Sequence, residues 1–260
     1  MANSELVTAY TLTLNEAAQI RAVLASIRWA DEIIVVDSLS TDGTAEIAQT
    51  CGARVLTEKF CGFGRLRNIA LAAARHDWIV SIDADERSTP EFAAEVRQTL
   101  AAPKCAAYFV PRLNYFLGRP IRFGGMYPDY RQPQVFDRRQ FQYRDHVVHE
   151  GYVCQGSIGY LRHAIVQHPF PTLATVMAKN ERYTTLMAQR YFAEHHRATL
   201  ANMTLSPVAA FLKKYVLQQA FREGTHGFLL AALHALYTFV KYAKLWELQQ
   251  QKPVIAPPSE

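Results

Sequence analysis

Trp78-Ile-Val-Ser-Ile-Asp83-Ala-Asp85-Glu86 is an apolar run that stops on two carboxylates two residues apart. A short run of this kind, after a helix-like segment and before Pro90, predicts a strand of a parallel sheet buried on both faces. Asp83 and Asp85 then stand where the strand runs out, and open α/β sheets bind ligands outside the carboxyl ends of their strands. Two carboxylates at one strand end repel unless a positive charge sits between them. A divalent metal carrying a diphosphate supplies that charge.

The neighbouring segments repeat the pattern. Leu6–Thr13, Glu32–Asp37 and Arg54–Leu56 read as strands. Glu16–Ile27, Thr44–Cys51, Gly64–Ala74 and Pro90–Ala101 read as helices, the last with proline in its first turn. Strands alternating with helices of this length predict a parallel, doubly wound sheet. From Ala106 the chain turns to short aromatic strands at Tyr108–Pro111, Asn114–Leu117 and Val135–Phe136, a region suited to an acceptor pocket. From Thr172 it reads as mainly helical, and from Gln249 as a tail. The expected organisation is one domain over 1–171, with an alternating α/β half (1–105) and a second half of short strands (106–171). A helical region at 172–248 and a tail at 249–260 complete it.

Composition narrows the class. The 260 residues are 50% hydrophobic and 20% charged with a net charge of +5, which describes an ordered, modestly basic protein. Its basic character suits an anionic membrane or a phosphorylated substrate; no DNA- or RNA-binding motif is present, so no nucleic-acid partner is expected. Cys51, Cys61, Cys105 and Cys154 form no C-x-x-C pair, which favours a reducing compartment. Residues 1–14 lack the pattern of a secretory leader, so the expected location is the cytoplasm.

Three predicted strand ends are polar. The first continues into Thr13-Leu-Asn15-Glu16, the second into Asp37-Ser-Leu-Ser40-Thr41-Asp42-Gly43-Thr44, and another into Asp83-Ala-Asp85. An aspartate at the second tip can accept hydrogen bonds from a base or ribose. The Ser-Thr-Asp-Gly-Thr run also reads plainly as a turn and helix cap. Gly62-Phe-Gly64-Arg65-Leu-Arg67-Asn68 opens a helix with two glycines and two arginines, a combination that suits a phosphate and otherwise is a basic turn. It lacks the ending of a P-loop and the spacing of a dinucleotide fingerprint.

Thr13-x-Asn15-Glu16, Val36-Asp37-Ser-x-Ser40-Thr41-Asp42-Gly43-Thr44, Arg67-Asn68 and Asp83-Ala-Asp85-Glu86, in this order and spacing, resemble the family-2 glycosyltransferases. Trp29-Ala-Asp-Glu-Ile-Ile-Val-Val-Asp37-Ser, Tyr127-Pro128-Asp129-Tyr130 and Val148-His149-Glu150 are similar to the branch that adds β-linked glucose to the inner core of lipopolysaccharide. The resemblance implies a GT-A-type doubly wound mixed sheet with a helical C-terminal appendage. It also implies an inverting transfer of a hexose, with glucose first, from a UDP-sugar to an inner-core heptose. Asp37 is expected on the uracil, Asp83 near the ribose, and Asp85, with Asp83 as a second ligand, on Mg²⁺ or Mn²⁺. Thr13, Asn15, Glu16 and Arg67 complete the nucleotide-sugar set.

The same resemblance favours Glu150 as the base that takes the acceptor's proton. Asp145 and Asp129 are rivals, and His149 is a residue that could orient the base or approach the metal. A zinc reading of His146-x-x-His149-Glu150 lacks a third ligand. His168 reads as structural, or as a contact to the diphosphate or metal. Relatives carry Arg-Leu-Phe where this chain has Gln134-Val135-Phe136, with Arg131, Arg138 and Arg139 nearby. If that arginine of the family holds the acceptor or the diphosphate, its role here has moved or the acceptor differs.

Phe228–Trp246 predicts a long apolar helix. Lys213, Lys214, Lys241, Lys244 and Trp246 suit a position in the lipid headgroup region, peripheral to the cytoplasmic face of an inner membrane. Two rival readings stand beside the first: the same chemistry on another lipid-linked or capsular acceptor, and a non-catalytic nucleotide-sugar-binding membrane protein.

Overall fold

A computed structural model describes residues 5–144 and 151–250. The elements run β1 (Val7–Thr13), α1 (Ala17–Ser26), β2 (Glu32–Asp37), α2 (Thr44–Thr50), β3 (Arg54–Thr57), α3 (Phe63–Ala73), β4 (Trp78–Ser81), β5 (Glu86–Arg87) and α4 (Pro90–Leu100). They continue with β6 (Ala107–Phe109), β7 (Arg112–Phe116), β8 (Arg119–Pro120), β9 (Pro133–Asp137), β10 (Phe141–Tyr143), β11 (Tyr152–Cys154), β12 (Ile158–Tyr160) and β13 (Ile165–Phe170). Helices α5 (Leu173–Ala193), α6 (Leu200–Leu212) and α7 (Thr225–Gln250) follow.

Two compact units result, one of Met1–Asn114 with Pro128–His168, the other of Tyr115–Tyr127 with Pro169–Glu260. The segment 115–127, read from sequence as part of the acceptor half, groups with the C-terminal helices.

The first unit is the expected doubly wound α/β sheet. Seven strands stand in the order β12-β6-β9-β4-β1-β2-β3. Strands β4, β1, β2 and β3 are mutually parallel, and β12 is parallel to β6. Strand β9 runs antiparallel to both β4 and β6, which makes the sheet mixed and gives β6 the direction of β4. The carboxyl ends of six strands therefore open on one edge.

Helices cover both faces, which is why strands such as β4 are buried along their whole length. Ile20, Val23, Leu24 and Ile27 follow helical spacing and pack with Phe92, Val96 and Leu100 on Val35, Val80 and Val135. Leu66, Ala70 and Leu71 of α3 cover Tyr10, Ile34, Ile79 and Phe136 on the other face, beside Phe141 and Tyr143. Gly64, read from sequence as part of an anion turn, lets α3 lie against the Arg144 carbonyl, where a β-carbon would collide. Thr89 caps α4 by accepting from the Phe92 N–H at 3.1 Å, and Pro90 follows in the first turn as expected.

In the second unit β7 pairs antiparallel with β8, and Phe116, Ile121, Val176 and Leu230 form its core. Helix α7 packs against α5 and α6 and buries Gly227, Leu230, Ala231, Thr238 and Leu245.

Candidate active site

The first two polar strand ends are laced together. Thr13 donates its hydroxyl to Asp37 Oδ1 at 3.0 Å, and Ser40 donates its backbone N–H and hydroxyl to Asp37 at 2.9 and 2.5 Å. Asp37 is buried at 1% exposure, with Oδ1 accepting two hydroxyls and Oδ2 one amide N–H. Asn15 adopts φ +56°, a conformation asparagine tolerates better than most residues. There it accepts from Thr41 N–H at 2.9 Å and donates its own N–H to Ser40 Oγ at 2.8 Å. The Glu16 N–H reaches Thr44 Oγ1 at 2.8 Å. Asp42, not the residue preceding α2, meets that helix start, accepting the Thr44 N–H at 3.1 Å and the Ala17 N–H at 2.9 Å. The Thr44 hydroxyl and these amides hold its carboxyl below the usual range.

Strand β4 ends at Ser81, two residues short of the sequence expectation, so Asp83 and Asp85 occupy a turn. Arg67 lies beneath that turn, 4% exposed, with Nη2 on Asp83 Oδ1 at 2.9 Å and Nη1 on Ser81 Oγ at 2.9 Å. Its guanidinium also sits 5.4 Å from the Tyr143 ring centroid and 3.4 Å from the Tyr10 hydroxyl. The structure thus places Arg67 against Asp83 rather than on an open surface. Burial works against ionisation of Asp83, but Arg67, Arg112 and Arg131 prevail and hold its carboxyl below the ordinary value.

Glu86, quoted in the opening motif yet given no role from sequence, is fully buried. It accepts from Arg112 Nε at 2.5 Å, Gln134 Nε2 at 2.9 Å and the Asp83 N–H at 3.0 Å, so it ties the acidic turn to β7 and β9. Burial and the Asp83 charge push it up to about 7, while Arg112 opposes them. Gln134 is 2% exposed and also donates to the Ser81 carbonyl at 3.2 Å. The cation beside Glu86 is Arg112, the first residue of β7, which fell between two predicted strands and carried no sequence signal.

Asp85 has a different environment. Gln167 Nε2 lies 3.2 Å from each of its oxygens, and the His168 N–H donates to its carbonyl at 2.9 Å. Both partners come from β13, which pairs antiparallel with β5 through Gln167 and Glu86. Gln167 escaped the sequence reading, because a lone glutamine in a short strand has no distinguishing pattern. Burial and Arg87 lower the His168 pKa, against the pull of Asp85. A carboxylate with one amide contact keeps lone pairs for a cation. Mg²⁺ and Mn²⁺ are commonly held by one or two carboxylates plus substrate phosphates. The donor set at Asp85, with Asp83 beside it, fits that mode; among the described residues no cluster of three metal-ligating side chains exists.

Asp129 spends Oδ2 on Arg131, at 2.7 and 3.0 Å, and on Asn114 at 3.2 Å. Glu150, Asp145, His146 and His149 lie outside the described residues.

The family profile described as "Glycosyl transferase family 2" matches residues 8–166. The chain is 29% identical to the lipopolysaccharide core biosynthesis glycosyltransferase LpsC of Rhizobium meliloti (strain 1021), over 92% of this chain and 91% of that one. It is 26% identical to an uncharacterised glycosyltransferase of Rickettsia felis over 97% and 94% of the two chains. Among solved structures, the glucosyl-3-phosphoglycerate synthase of Mycobacterium tuberculosis, in complex with Mn²⁺ and UDP-glucose, aligns with a TM-score of 0.37 at 30% identity. That alignment covers 43% of this chain and 44% of the other, less than half of either.

Proposed function

The chain belongs to glycosyltransferase family 2, and from that premise we propose that it is an inverting, metal-dependent hexosyltransferase acting on the inner core of lipopolysaccharide. The donor is a UDP-hexose, glucose first, and the acceptor is a core heptose. The observation that carries this reading is the single sheet edge on which Asp37, Thr13, Asp83 and Asp85 stand. One carboxylate there is locked by Arg67 and the other is left accessible to a cation. The LpsC likeness supports the acceptor class.

In this mechanism Asp37, oriented by Thr13 and Ser40, receives the uracil of the donor, and Asp83, kept ionised by Arg67, faces the ribose. Asp85, with Asp83 as second ligand, would hold Mg²⁺ or Mn²⁺, and the metal would supply Lewis-acid stabilisation of the leaving diphosphate. The acceptor oxygen attacks the anomeric carbon from the face opposite UDP. The new C–O bond forms as the bond to phosphate breaks, and the hydroxyl proton passes to a carboxylate. Glu150 is the proposed base, with Asp145 and Asp129 as rivals and His149 in support. Asp129 is the weaker rival, since its Arg131 ion pair competes with the proton for the same oxygen.

A lipid-borne acceptor places the enzyme at the cytoplasmic face of the inner membrane. The solvent side of α6 supports this: Leu200 is 73% exposed, Leu205 67% and Val208 58%, and no residue of the helix is buried. No Asp or Glu occurs from Arg197 to Arg222, a charge balance suited to anionic headgroups. The lysines expected at lipid are partly engaged within the unit: Lys244 pairs with Glu181 at 2.6 Å, and Lys214 donates to the Gly124 carbonyl at 2.7 Å.

UDP release from UDP-glucose with Mn²⁺ or Mg²⁺ tests the reading. Wild type is expected to release UDP, and Asp85→Ala is expected to lose metal-dependent UDP binding while keeping its circular dichroism spectrum. No UDP release from any nucleotide sugar, with the protein folded, favours the non-catalytic alternative. Undiminished UDP affinity of Asp85→Ala in Mn²⁺ removes Asp85 from the metal.

A further inference from the structure

We propose that Phe109, Tyr130 and Tyr160 form a stacking platform for a saccharide ring of the acceptor, an assignment that rests on the glycosyltransferase reading. Phe109 and Tyr160 are the last residues of β6 and β12 and are direct partners in the parallel register. Their rings stack with centroids 5.2 Å apart at 21°. Tyr130 closes the cluster edge-on, 5.2 Å from Tyr160 and 6.3 Å from Phe109.

Packing alone does not account for the arrangement. Tyr160, on the edge strand β12, is 64% exposed and Tyr130 beside it 39%, so apolar ring surface of both faces water. Aromatics that serve a core bury that surface, as Phe136 does on the same sheet. Tyr160, stacked on the half-buried Phe109, offers a flat apolar face, with the Tyr160 and Tyr130 phenols as its polar rim. A pyranose matches it, with C–H bonds on one face and hydroxyls around the edge.

Position selects the acceptor rather than the donor. Strands β6 and β4 run in the same direction, so Phe109 and the Asp83–Asp85 turn open on one edge. The order β12-β6-β9-β4-β1-β2 puts the aromatics on the opposite side of the acidic turn from Asp37. With strands spaced about 4.8 Å apart, β6 lies about 10 Å and β12 about 14 Å from β4. That is a span of one to two sugar rings beyond the transferred hexose. Tyr130 also sits between Asp129, a rival base, and Arg131, whose charge acts on both Asp83 and Asp85.

The test uses the full chain, saturated with UDP and Mn²⁺, and a heptose-containing core oligosaccharide freed from lipopolysaccharide by mild acid. Calorimetry is expected to show binding by wild type and about tenfold or greater weakening in Tyr160→Ala and in Tyr130→Ala. Tyr160→Phe, which keeps the ring, is expected to bind within about twofold of wild type, and UDP affinity to be unchanged in all three variants. Oligosaccharide binding by Tyr160→Ala at the wild-type level overturns the platform. So does a wild type that binds UDP but not the oligosaccharide, and that result leaves the donor reading standing. A wild type that fails to bind UDP with Mn²⁺ takes down the glycosyltransferase reading and the platform with it.

Discussion

Replacing Glu86 with glutamine should change the pH dependence of stability without changing the shape of the site. Glu86 is fully buried, and burial together with the Asp83 charge pushes it up to about 7. An unfolded chain returns it to about 4.3. The folded state then binds a proton that the unfolded state has released, so the stability this group contributes is complete below about 4.3. It declines as pH rises through 7 and is flat above that. At 1.36 kcal/mol per pH unit, the gap amounts to roughly 3 to 4 kcal/mol. Glutamine mimics the protonated form at all pH values. The stability of Glu86→Gln minus that of wild type should therefore rise by about 3 kcal/mol between pH 4.5 and pH 8, whatever its starting offset. Urea denaturation followed by far-UV circular dichroism, in metal-free buffer at pH 4.5, 6, 7 and 8, measures the difference. A difference that stays constant across that range refutes the reasoning. It would mean that Arg112, Gln134 and the Asp83 N–H repay the whole cost of burying the charge, as a shell of three donors around one carboxylate could.

Arg67→Met removes the cation that orients Asp83 and should weaken Mn²⁺-dependent UDP binding tenfold or more, within the roughly 10–100-fold range for partners that orient metal ligands; unchanged affinity by calorimetry would make Arg67 a packing residue only. Glu150→Gln should leave UDP affinity near wild type and reduce transfer about a hundredfold, and a variant with near-full turnover moves the base to Asp145 or Asp129. Asp31 accepts from the Val7 N–H and from Arg97, each at 2.8 Å, and burial is outweighed by these partners, so its carboxyl lies below the usual range. Its contribution is present above about 3.9 and is lost as pH falls through the lower folded value. Asp31→Asn should cost about 1 kcal/mol at pH 7 and almost nothing near pH 2 in urea titrations; an equal cost at both pH values contradicts the assignment.

Sequence alone determined the parts governed by local pattern. The apolar run before Asp83, the helical spacing of Ile20, Val23, Leu24 and Ile27, and Pro90 after Thr89 each bias a few consecutive residues, so strands and helices of the first hundred residues were legible. The polar tips at Thr13, Asp37, Asp83 and Asp85 were legible too, because parallel strands must end on a common edge. Tertiary structure alone decided who stands beside whom. Arg112, Gln134 and Gln167 meet the acidic turn only because β9 runs antiparallel beside β4 and β13 pairs with β5. Phe109 meets Tyr160 only because β12 adds at the far edge. Those pairings are set by burial of whole sheet faces, a sum over contacts distant along the chain that no single residue type announces. The same physics set the surroundings of Arg67. A guanidinium read as facing phosphate is enclosed by Tyr10, Tyr143 and Ser81, and in that enclosure Asp83 is the partner it must have.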